Sequence, residues 1–223
     1  SHPTPLRNHY QVLYLDFSRI LGNIDVLEEK FNSYCCDQLN DFIDTYRDDY
    51  PKERVEEFLR SDDHGQKLNL LLNMSRKYNQ PLYLIIDEYD SFTNIVFSEQ
   101  VEETYFKTSL IGKFYSHVFK MFKGMFERIF LTGVSPVTLD DLTSGFNIGW
   151  NVSMAPELDK MLGFSTEDVR QMITYYKEAG QLPAESDIEA MITEMKPWYD
   201  NYCFAKECLE NDVRVFNCDM VLY

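Results

Sequence analysis

The chain has 223 residues, room for one large domain or one and a half at about 150 residues each, and enough to bury a sizeable core. Its 37 acidic and 21 basic residues give a net charge of −16, a field that repels polyanions and argues against broad nucleic-acid binding. With 44% hydrophobic residues, nine glycines and eight prolines, it is neither disordered nor collagen-like.

The longest apolar runs, such as Leu82 to Ile86, fall far short of the ~20 residues a membrane span requires. Ser1 to Asn8 is polar and broken by proline, unlike a signal peptide. The five cysteines (Cys35, Cys36, Cys203, Cys208 and Cys218) form no C-x-x-C pair, and the four histidines lie far apart. Reduced thiols in a cytoplasmic protein are therefore expected, in place of a disulfide framework or a structural zinc site.

In chain order, Val12 to Phe17 is a short β-prone run and predicts a buried strand. Asn23 or Asp25 can cap a helix in which Leu27, Phe31, Tyr34, Cys35, Phe42, Ile43 and Tyr46 recur at helical spacing. Pro51 suits the first turn of a second helix, with Val55, Phe58 and Leu59 on one face. Ser61 to Gly65 interrupts it, and Leu68, Leu71 and Leu72 carry a third helix to about Tyr78.

Leu82 to Asp87 is the strongest strand, apolar on both faces like a parallel strand covered by helices. An aromatic-rich helical region is expected over 99–122, then a buried strand from Arg128 to Thr132 and a short one over 148–153. Beyond Pro156 the pattern predicts helices near 157–162, 166–179 and 187–195 and one more strand near 213–216. The methionines there, including Met154 and Met161, are expected to fill a small core. Trp198, Tyr199 and Tyr202 suit packing of this region against the core, or stacking on a base. Strand–helix alternation followed by a small helical piece predicts an α/β fold: a parallel sheet over 1–153 and a helical subdomain over 154–223.

Leu84-Ile-Ile-Asp-Glu-Tyr-Asp90 carries the most chemical information. In a doubly wound sheet, ligands bind outside the carboxyl ends of the strands. Asp87 sits at that edge, where a carboxylate can hold Mg²⁺ through water, and Glu88 is placed to polarise an attacking water. A solvated acidic turn with Asp90 as a cap is the plainer reading of the same residues. Thr132 and Ser135, at the end of the next strand, are candidates for a polar sensor of phosphate or water, or simply strand-end and turn residues. Asp16 ends the first strand on the same edge, as a metal partner or a cap. Arg128 begins its strand, at the far end.

Taken together, several stretches resemble a bacterial AAA-ATPase-like family of P-loop NTPases, whose chains often also carry a PD-(D/E)XK nuclease-like domain. They are Pro3 to Pro5, Tyr10 to Ser18, Leu84 to Asp90, Arg128 to Pro136, Leu139 to Asn147, Leu162 to Phe164, Trp198 to Tyr202 and Phe216-Asn217. The resemblance implies an ATP- and Mg²⁺-dependent ATPase. Asp87 serves the metal, Glu88 the water, and Thr132 or Ser135 the sensor role. Oligomerisation is compatible with it.

No G-x-x-x-x-G-K-[ST] occurs in these 223 residues, and Gly22, Gly65, Gly112, Gly124 and Gly133 are isolated. The phosphate-binding loop of the family lies upstream of the Tyr10 segment. The α/β sheet is thus expected to be an incomplete P-loop core, weak in ATP binding by itself. The resemblance further implies that the missing phosphate-loop strand inserts between strands 82–87 and 128–132. Two other function classes stand beside this one. One is a non-catalytic interaction module of the same fold. The other is a metal-dependent phosphohydrolase or nuclease using Asp16, Asp87, Glu88 and Asp90.

Overall fold

Alternation decides which side of the first strand is inside. In β1 (Gln11–Asp16), Gln11, Leu13 and Leu15 are buried, while Val12 and Tyr14 point outward. The computed structural model describes residues 4–91, 113, 126–133, 151–211 and 213–222. The chain divides into two compact units, Ser1–Asn147 and Ile148–Tyr223.

In the first unit, β1 leads through a short 3₁₀ turn (Phe17–Arg19) into α1 (Ile24–Thr45). Leu27, Phe31, Cys35, Leu39, Phe42 and Ile43 form its buried stripe, spaced three or four residues apart as a helix face requires. Helices α2 (Lys52–Leu59) and α3 (His64–Tyr78) follow. Val55 and Phe58 of α2 are buried, but Leu59 is exposed, so it does not share their face as expected. Helix α3 begins earlier than the sequence suggests and takes in Gly65, because the Asp63 side chain caps it by accepting from the Gln66 N–H at 2.7 Å. It ends at Asn79, whose left-handed backbone supplies the stop before Pro81.

Strands β2 (Leu82–Asp87) and β3 (Arg128–Leu131) complete a three-stranded parallel sheet in the order β1-β2-β3. Leu13, Leu15, Leu82, Leu84 and Ile86 share one buried cluster with α1, α2 and α3. The other face is more open than expected. Tyr83 and Ile85 are only half-buried, and Phe130 is exposed beside the half-buried Ile129 and Leu131, so neither β2 nor β3 is covered equally on both sides. The result is an α/β fold: a parallel sheet with flanking helices, matching an incomplete P-loop-type core.

Direct pairing corrects one expectation. Tyr83 to Ile86 pair in parallel with Arg128 to Leu131, leaving no slot for a strand between them. Further strands can join only at the outer edges. The β1 edge is largely occupied: its outward amides at Val12 and Asp16 donate to the hydroxyls of Tyr46 (3.1 Å) and Tyr34 (2.7 Å) on or just after α1.

The second unit is not purely helical. Helices α4 (Thr166–Glu178) and α5 (Ile188–Tyr199) accompany an antiparallel pair, β4 (Asp200–Tyr202) with β5 (Val215–Phe216), and the short helices α6 (Lys206–Glu210) and α7 (Cys218–Leu222). A Ser165–Asp168 capping box starts α4. The helix expected over 157–162 shrinks to a 3₁₀ turn, Pro156–Leu158, because Gly163 has φ 146° and Phe164 leaves to bridge Phe216.

Val169, Ile173, Ile192 and Phe216 form its core, with Met191, Met195 and Tyr199 packed around them. Met154, Met161 and Trp198 do not pack as expected; they are 73%, 56% and 73% exposed. Residues 151–153 form no strand; 148–150, the expected 99–122 helical region apart from Lys113, and 134–147 with Ser135 lie outside the described residues.

Candidate functional site

Parallel register brings Asp16 and Asp87 side by side at the carboxyl edge of the sheet. They behave differently. Asp16 turns back on its own chain and accepts from the Ser18 N–H (3.1 Å), the Ser18 hydroxyl (2.6 Å) and Arg19 Nε (3.2 Å). The Ser18 hydroxyl, above all, holds its carboxyl below the usual range. Asp16 is therefore the cap of the 3₁₀ turn.

Asp87 is held by groups on or just after all three strands. Oδ1 accepts from the Thr132 hydroxyl at 2.5 Å and from the Glu88 N–H at 3.0 Å, and Oδ2 accepts from the Tyr14 hydroxyl at 3.2 Å. An ionised carboxylate has about four acceptor positions. Among the described residues one position on Oδ2 remains open, and the side chain is half-buried. A single carboxylate of this kind fits a water-mediated contact to Mg²⁺. Among the described residues no group of three or more acidic, His or Cys side chains is arranged to hold a metal by itself.

The segment after β2 folds back over β3. The Tyr89 N–H donates to the Thr132 carbonyl at 3.0 Å, and the Ser91 N–H to the Glu88 carbonyl at 3.0 Å. Glu88, at the head of this turn, has φ 52°, a left-handed backbone that costs a non-glycine residue about 1 kcal/mol or more. The turn keeps Glu88 half-buried beside Asp87 and drives Asp90 inside, where it is 1% exposed. The Tyr89 hydroxyl lies partly buried near Asp90, and burial raises its proton affinity.

Gly133 makes this return possible. A Cβ there would press on Asp90 Oδ1 and come within 2.7 and 2.8 Å of the Tyr89 ring.

The structure thus brings Asp87, Glu88 and Thr132 together. It separates Asp16, spent on its cap, and Asp90, buried under Gly133, so the four acids do not converge on one point. Sequence reasoning missed Tyr14 and the role of Gly133. Tyr14 pairs with Ile85, two register pairs behind Asp87 on the same face, a placement readable only once β1 and β2 are known to pair in parallel. Gly133 looked like any turn glycine.

A family profile described as predicted AAA-ATPase matches residues 1–143. Searches of curated proteins and of solved structures found no match. The profile covers the sheet, the acidic turn and Thr132, well over half of the chain, and the chain belongs to the predicted AAA-ATPase family.

Proposed function

We propose that the intact polypeptide binds ATP with Mg²⁺ and hydrolyses it, coupling turnover to a conformational change. Asp87 serves the metal, Glu88 accepts the proton of the attacking water, and Thr132 or Ser135 reads the phosphate. The bound metal would neutralise charge on the β- and γ-phosphates. Residues 1–153 are the ATPase core and 154–223 an appended subdomain. A cytoplasmic setting, self-association and a nuclease-like domain in the same polypeptide belong to this reading.

The observation that supports it best is the placement of Asp87. It stands at the carboxyl edge of the middle strand of a parallel sheet, hydrogen-bonded on both oxygens, with Glu88 next to it in a left-handed turn. The phosphate-binding loop that ATP chemistry requires is not among these 223 residues, so the proposal concerns the intact polypeptide.

The test is Glu88→Gln in the full-length natural polypeptide. The amide fills the space but accepts no proton, so turnover should fall about 100-fold or more while ATP stays bound. Near-normal turnover removes Glu88 from this role. The missing loop also supports a second reading, a non-catalytic interaction module. Full-length protein with no saturable Mg-ATP binding by calorimetry would favour it.

A further inference from the structure

Tyr14 enters the site from a different strand and for no evident packing reason. It stands on the open face of β1 and is 45% exposed, although a tyrosine ring of this size normally covers more of itself. Its register partner on β2 is Ile85, two residues short of Asp87, a diagonal that a long aromatic side chain can cross. Its hydroxyl reaches Asp87 Oδ2 at 3.2 Å.

The other carboxylate oxygen is taken twice, by Thr132 and the Glu88 N–H. With Oδ1 alone held, the group keeps some freedom to rock about its Cβ–Cγ bond. The Tyr14 bond removes that freedom and, among the described residues, leaves one acceptor position on Oδ2 open. A shared hydrogen bond of this sort orients a carboxylate for a metal-bound water.

We propose that Tyr14 is a positioning residue for Asp87: its hydroxyl fixes the carboxylate oxygen that receives the hydrated divalent cation. This rests on the reading of Asp87 as the residue that serves the metal. A tyrosine at this place makes the cation dependence of nucleotide binding sensitive to a side chain that the acidic motif itself does not contain.

The experiment is a Mn²⁺ titration of the full-length natural polypeptide in the presence of a non-hydrolysable ATP analogue, followed by the paramagnetic signal of free Mn²⁺. Tyr14→Phe removes only the hydroxyl and should raise the half-saturating Mn²⁺ concentration about tenfold, the low end for loss of such a partner. Binding of the analogue without metal should stay as in the parent, a split that a merely structural role would not produce. Asp87→Asn is the control. If Asp87→Asn weakens Mn²⁺ binding and Tyr14→Phe does not, the Tyr14 proposal falls alone. If neither changes it, or the parent binds no Mn²⁺, the metal role of Asp87 falls and Tyr14 with it.

Discussion

The Thr132 hydroxyl donates to Asp87 Oδ1 at 2.5 Å, joining the ends of β3 and β2 across 45 residues of sequence. A hydroxyl has one proton to give, and here it goes to the carboxylate. As a donor Thr132 is committed to Asp87 and can only accept from a water, so in the sensor role it would meet a phosphate through that water. This ties the proposed sensor and metal residues into one unit, so substitutions at the two should not add independently.

Thr132→Val keeps the shape and removes the hydroxyl. It should weaken cation-dependent nucleotide binding about as much as Asp87→Asn, and the double variant should be little worse than either. Thr132→Ser should retain most of the function. These outcomes are read from Mg²⁺ titrations of nucleotide binding. Fully additive losses, or a Thr132→Ser variant as impaired as Thr132→Val, would uncouple the pair.

Gly133→Ala tests the fold-back of the acidic turn. The added methyl meets the Tyr89 ring and Asp90, neither of which is the free end of a flexible chain. The expected cost is about 1–3 kcal/mol, as for overpacking elsewhere. Chemical denaturation should show a lower midpoint with an unchanged slope. A variant as stable as the parent would show that the turn has room to move.

The strands and long helices were legible because their apolar periods are strong and local. β2 ends at Asp87 and α1 at Thr45, close to where the residue pattern stops. Strand pairing was not legible. Which neighbour β2 takes depends on pairs 45 residues apart in sequence, such as Tyr83 with Arg128, and the direct β2–β3 pairing contradicts the order that the resemblance implied. The roles of the acids were half legible. Asp16, Asp87 and Asp90 look alike as letters; only the fold shows one capping a turn by accepting from Ser18, one held at the sheet edge and one buried. The second unit was misread mainly at its exposed apolar residues. Trp198 and Met161 carry the composition of a core without the position.

The Asp16 cap gives a pH prediction. Its carboxyl titrates below 3.8 in the folded chain, chiefly through the Ser18 hydroxyl. The group therefore contributes stability above the unfolded value, and that contribution disappears as pH falls through the lower folded value. Ser18→Ala removes the hydroxyl donor but keeps the backbone N–H on Asp16, and should cost about 0.5–1 kcal/mol at neutral pH, the range of one lost hydrogen bond. The difference from the parent should vanish at strongly acidic pH. Urea unfolding at several pH values checks this, and a difference that persists below the folded value would assign the loss to packing.

Lys67 makes a prediction at the other end of the scale. It is 1% exposed, and its ammonium donates to Asn40 Oδ1 at 2.8 Å and to the Phe58 carbonyl at 2.9 Å, 4.5 Å above the Phe58 ring. The Phe58 carbonyl is among those at the end of α2 that have no partner within the helix, so Lys67 of α3 caps α2 and ties it to α1 through Asn40. Lys67→Met fills the volume but leaves both acceptors without this donor, at an expected cost of about 1–3 kcal/mol. Burial lowers the lysine's proton affinity below the ordinary 10.5. Between the folded value and 10.5 the unfolded chain holds a proton that the native chain has lost, so this group adds stability as pH rises through that window. The gap between parent and Lys67→Met should therefore widen on approaching pH 10.5, measured by urea unfolding at alkaline pH. A gap that shrinks instead would mean that the partners favour the ammonium by more than burial opposes it.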